Sequence, residues 1–174
     1  MQKYIKAGVL TLVLVLPAFL ILFFHGFAEN HFQLPYLIPL TDSGGNVSMR
    51  GQDTLFYQVP PTSGTVIRVV GFFDKETSSL VSENFSIVEK LASDKVVMER
   101  VIGEEAGMAA FQKYRVQTLK KAKTSETIPY NDQFLLIDSK GFIRGLYNAT
   151  SPEDVERLTA EVKVLLDIQQ KEEN

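Results

Sequence analysis

The spacing of hydrophobic positions changes along this chain, and each change marks an element. From Ala7 to Phe24 the run AGVLTLVLVLPAFLILFF carries no charge and only Thr11 and Pro17 as irregularities. At roughly 1.5 Å per residue such a run approaches the ~30 Å of a hydrocarbon core, so it predicts a transmembrane helix in which Pro17 is tolerable. Between residues 28 and 53 no period survives, because Pro35, Pro39, Gly44 and Gly45 interrupt it; Phe32, Leu34, Tyr36 and Ile38 alternate and allow an edge strand or a segment lying against a domain. Thr54 to Val59 alternates as a short strand and is stopped by Pro60 and Pro61.

The next segments predict strand, helix, strand, helix. VIRVVGFF, residues 66 to 73, is an almost continuous apolar run rich in β-branched residues, the pattern of a central strand covered on both faces. Val81, Phe85, Val88 and Leu91 or Ala92 then recur at helical steps, with Ser78 or Ser79 as cap. KVVMERVI, residues 95 to 102, reads as a second strand, and residues 103 to about 120 as a helix offering Met108, Phe111, Tyr114 and Leu119 to the core. FLLID (134 to 138) and FIRGLY (142 to 147) flank Ser139-Lys140-Gly141, which is turn chemistry for a hairpin. Ser151, Pro152 and Asp154 supply a cap, a first helical position and a capping box for a last helix with Val155, Leu158, Val162 and Leu165 on one stripe.

These elements divide the chain into a cytoplasmic N-terminus (1–6), a transmembrane anchor (7–27), a linker and lead-in segment (28–53), one α/β domain (54–170) and a frayed tail (171–174). Lys3 and Lys6 precede the anchor and no Lys or Arg follows it before Arg50, a bias that predicts N-in insertion with the domain on the far side of the membrane. Small residues at Gly26 and Ala28 leave a cleaved signal peptide as the alternative. The formal net charge of the chain is −3, and no basic patch recommends nucleic acid.

Cysteine is absent from all 174 residues, so thiol exchange and thiolate metal binding are excluded. No disulfide can assist the core. The only histidines, His25 and His31, flank the expected membrane exit and make a weak metal signal. Ser78, Ser79 and Ser82 have no histidine in the domain to activate them, and Glu76, Glu83, Glu104 and Glu105 fall at loop ends and helix starts where carboxylates are usually solvated or paired with the helix dipole. Met98 and Met108 read as core residues rather than copper ligands.

The order strand, helix, strand, helix, hairpin, helix resembles the thioredoxin arrangement, a central mixed sheet flanked by helices. More narrowly, FLLIDSKGFIRGLYNATSPEDVERLTAEVKVLL, residues 134 to 166, resembles the end of the Sco/SenC family of copper-delivery proteins. That family carries a CxxxC pair after its first core strand and a histidine shortly before the hairpin. Laid on this sequence, those positions fall at Glu76, Leu80 and Tyr130, none of which is a ligand that cuprous ion prefers. The resemblance therefore implies a bacterial inner-membrane, single-pass, thioredoxin-like accessory protein with no catalytic residues, no cofactor and no metal. Glu76, Leu80 and Tyr130 become a degenerate rim for docking. Implied partners are the membrane, through the anchor, and an envelope protein such as an oxidase subunit or a cysteine-bearing Sco protein in cytochrome oxidase assembly. The alternative is a structural subunit of a stable envelope complex. Pro129 is a candidate for a cis peptide bond, left open.

Overall fold

The computed structural model describes residues 15–17, 19–20, 34–60, 66–116 and 128–173. The chain divides into two units, Met1–Gln33 and Leu34–Asn174. In the first, residues 15–17, 19 and 20 are helical and exposed; the remainder of the anchor expected over 7–27 lies outside the described residues.

The second unit is built on four strands: β3 (Ile67–Phe73), β4 (Val96–Ile102), β5 (Gln133–Ile137) and β6 (Ile143–Asn148), in the order β4-β3-β5-β6. β3 and β4 are parallel, β5 runs antiparallel to β3, and β6 antiparallel to β5. All seven residues of β3 are buried, Arg68 included, as its almost continuous apolar run requires of a strand with neighbours on both edges and layers on both faces. A small separate hairpin pairs β1 (Met49–Arg50) with β2 (Asp53–Thr54).

Alternation along the strands sorts the side chains into two cores. On one face Ile67, Val69 and Phe73 meet Phe134, Leu136 and Tyr147 under helices α1 (Ser79–Glu89) and α3 (Pro152–Glu173). Phe134 lies 5.7 Å from Phe73, edge to face, and 6.3 Å from Phe85. On the other face Val70, Phe72, Leu135, Ile137 and Ile143 pack against helix α2 (Glu104–Lys113) and against the segment from Ile38 to Val59. That segment is therefore not a free linker: Ile38 and Val59 are buried, and Leu37 N–H donates to the Ile143 carbonyl at 3.0 Å.

Local chemistry explains the boundaries. Ser78 accepts from Val81 N–H to cap α1, and Ser151 from Asp154 N–H to cap α3. The capping box is incomplete, because the Asp154 carboxylate accepts from Asn148 N–H instead. The hairpin between β5 and β6 turns on Asp138, whose Oδ1 accepts from the N–H groups of Lys140 and Phe142, and on Gly141 at φ +88°. A Cβ at Gly141 would stand 2.5 Å from the Val59 carbonyl oxygen, so only glycine lets the segment and the hairpin meet. The tail expected to fray remains helical to Glu173, where Lys95 pairs with Glu173 and Lys140 with Glu172.

Three expectations need correction. The fold class was read as thioredoxin-like with a single transmembrane helix, but no helix among the described residues is long and apolar enough to cross a membrane. α3 has the length, at 22 residues, yet beside its buried stripe it carries Glu156, Arg157, Glu161 and Lys163, which a bilayer would not accept. The single-pass inner-membrane placement is therefore not supported. The observed class is α/β with a mixed sheet, and the thioredoxin-like name is not retained, since only element order supports it. The third correction is Met108: the inward stripe of α2 is Gly107, Phe111 and Tyr114, which leaves Met108 57% exposed.

Candidate functional site

Topology concentrates polar side chains at one end of the sheet. β3 and β4 are parallel, so their carboxyl ends lie side by side and feed the loop Asp74 to Ser78 and, through Gly103 alone, helix α2. The Gly103 N–H continues the parallel ladder to the Phe73 carbonyl at 2.8 Å, and its φ of +92° then turns the chain into α2. Because β5 runs antiparallel to β3 with Gln133 opposite Phe72, the residues just before β5 arrive at the same end.

That register brings Tyr130 to Asp74. The phenol donates to Asp74 Oδ1 at 2.7 Å and the Asn131 amide to Oδ2 at 3.0 Å, so one carboxylate ties the loop after β3 to the segment before β5. The Tyr130 ring packs against α2 at Gly107, where a Cβ would sit 2.6 Å from it. Around this junction is an open cleft of about 1160 Å³ lined by Asp74, Lys75, Glu76, Ile102, Gly103, Glu104, Glu105, Ala106, Met108, Ala109 and Tyr130.

The electrostatics are one-sided. Among the described residues that line it, four are carboxylates and one, Lys75, is a cation. The hydrogen bond to Asp74, then partial burial and the neighbouring charges of Asp74, Glu104 and Asp132, push the Tyr130 phenol up to about 12. Burial and the Asp74 charge raise the Asp132 carboxyl in the same sense. For a phenol raised from 10.0, the stabilising contribution is complete below pH about 10 and is lost as the pH climbs through about 12. Alkaline titration followed by tyrosinate absorbance should show a component near pH 12 that disappears in Tyr130→Phe; an unchanged curve would disprove the Asp74 bond.

Of the three positions carried over from the Sco/SenC pattern, the structure brings two together. Glu76, exposed, and Tyr130, half-buried, line the same cleft, whereas Leu80 lies exposed at the start of α1 and is not among its lining residues. Pro129 is exposed, and no peptide bond of the described residues is cis. Ser78 is occupied as a helix cap. His25 and His31 lie outside the described residues. Among the described residues, no three of His, Asp or Glu converge as a metal-binding group.

Asp74 was missed in the sequence. Its signal was position: the first polar residue after a fully buried strand sits where that strand's carboxyl end meets solvent. Its partners were not visible, because Tyr130 is 56 residues away and the pairing depends on the β3/β5 register. No protein-family model matches the chain, and neither a curated protein nor a solved structure matches it.

Proposed function

We propose that the domain is a non-catalytic accessory module that binds a protein partner in the cleft at the carboxyl ends of β3 and β4, without thiol redox or copper-thiolate chemistry. The observation that carries this reading is the exposure of Ile102, at 51%, and Met108 in the lining of an open cleft. Large apolar side chains gathered in a concavity and rimmed by polar groups are the usual composition of an interaction surface. The crevice beyond the carboxyl ends of adjacent parallel strands is also where open α/β sheets commonly bind.

A docking role fits the polar groups better than acid–base catalysis. Both oxygens of Asp74 already accept hydrogen bonds, and Tyr130, held protonated to about pH 12, is a poor base or nucleophile at neutral pH. The resemblance of residues 134 to 166 to Sco/SenC proteins adds a pathway to the proposal, respiratory oxidase assembly, with oxidase subunits or a cysteine-bearing Sco protein as partners.

A photo-crosslinking amino acid placed at Met108, and separately at Asp167 on the exposed face of α3, tests the reading in the native cell. One stoichiometric adduct from Met108, reproduced by reciprocal crosslinking from the partner and absent from Asp167, is the expected result. Equal adducts from both positions, or none from Met108, would overturn it. Tight cuprous binding by the purified domain would overturn the chemical half of the proposal.

A further inference from the structure

The cleft combines two properties that rarely coincide on a solvated surface. It presents Ile102 and Met108, both more than half exposed. Its lining carries Asp74 and Glu76 from the loop after β3 and Glu104 and Glu105 from the start of α2, with Lys75 as the single cation among the described lining residues. Among the described residues Glu76, Glu104 and Glu105 form no ion pair, and all three are exposed, so their charge faces whatever enters.

A second groove does not share this polarity. Between α1 and α3, Ile87 and Val155 line a smaller groove of about 390 Å³ whose charges, Glu156 and Lys163, cancel and express no preference.

Resting on the docking reading, we infer that the occupant of the first cleft is a protein segment in which basic side chains flank an apolar one. The apolar side chain covers Ile102 and Met108. The flanking cations meet Glu76 of the loop after β3 and Glu104 with Glu105 at the start of α2. An acidic segment is repelled by both, and a purely basic one leaves the apolar residues wet. Charge selects this partner and speeds its capture, while the apolar contact supplies the stability.

The test uses the full chain and short capped peptides read by fluorescence anisotropy. The probe alternates lysines with leucines; one control replaces leucine with serine and a second replaces lysine with glutamate. The lysine–leucine peptide is expected to bind, to weaken as salt is raised, and to lose at least about tenfold in affinity when Glu76→Gln, Glu104→Gln and Glu105→Gln are combined or when its leucines are removed. All three substituted side chains are exposed, and unchanged urea unfolding verifies that the variant is folded. Failure of the lysine–leucine peptide to bind, or equal binding by either control, would overturn the inference. The Met108 adduct separates the two proposals: a crosslinked partner segment that is acidic or uncharged refutes the basic occupant and leaves docking intact, whereas the absence of any adduct refutes docking itself.

Discussion

Replacing Phe134 with alanine should cost about 3–5 kcal/mol of unfolding free energy, a large share of the roughly 5–15 kcal/mol available to a domain of this kind. Phe134 is fully buried on β5, its ring set edge to face on Phe73 and nearly parallel to Phe85 of α1. The site cannot collapse around the void, because its neighbours are held by three separate elements: β3, α1 and β6, where Tyr147 sits opposite Phe134. Phe134→Leu keeps most of the volume and should lose less than about 1.5 kcal/mol. Urea unfolding with an unchanged slope measures both, and a loss below about 1 kcal/mol in the alanine variant would mean that the aromatic cluster is not packed as described.

Asp138→Ala should be comparably damaging for an electrostatic reason. Asp138 is 5% exposed and satisfies three donors: two N–H groups of the hairpin turn and the Arg144 guanidinium, at 2.6 Å. Arg144 in turn stacks over Tyr36 at 3.9 Å and donates to the Leu34 carbonyl, so the carboxylate indirectly holds the start of the domain. Removing it leaves a largely buried cation without its counter-ion, a change that costs about 3–5 kcal/mol, whereas removing both charges costs less than the sum. A double-mutant cycle with Arg144→Met should therefore show a coupling of at least about 1 kcal/mol. Additive losses would show that the pair does not act as a unit.

How much of this was legible in the chain depends on whether the cause is local. The strand at 67–73, the hairpin around Gly141 and the cap at Ser151 follow from residue type and spacing over a few positions, and each lies within a residue or two of where the pattern puts it. Met108 shows the limit of periodicity: it is three residues from Phe111 and so falls near the buried stripe, but the stripe is centred on Gly107, where the Tyr130 ring occupies the space. The packing of Leu34 to Val59 was suggested by alternating apolar residues, yet its prolines and glycines read as a linker. Contacts with Ile143, Gly141 and Lys113 decide the matter, and all lie far away in sequence. The candidate site was half legible, with Glu76 and Tyr130 reached by resemblance and Asp74 hidden by long-range register.

The strap formed by Leu34 to Val59 bears on how this protein can be divided or transplanted. It is fastened at Ile143 through Leu37, at Gly141 through Val59 and at the end of α2 through the Tyr57 hydroxyl. Cutting it away would strip cover from Val70, Ile137 and Ile143, which no helix could shift to replace. The smallest portable unit therefore begins at Leu34, some twenty residues before the strand pattern would place it. A fusion or library that starts at residue 54 would keep the fastenings at Tyr57 and Val59 but lose Ile38 and the Leu37 bond to Ile143, leaving part of the second core as an open, adhesive surface.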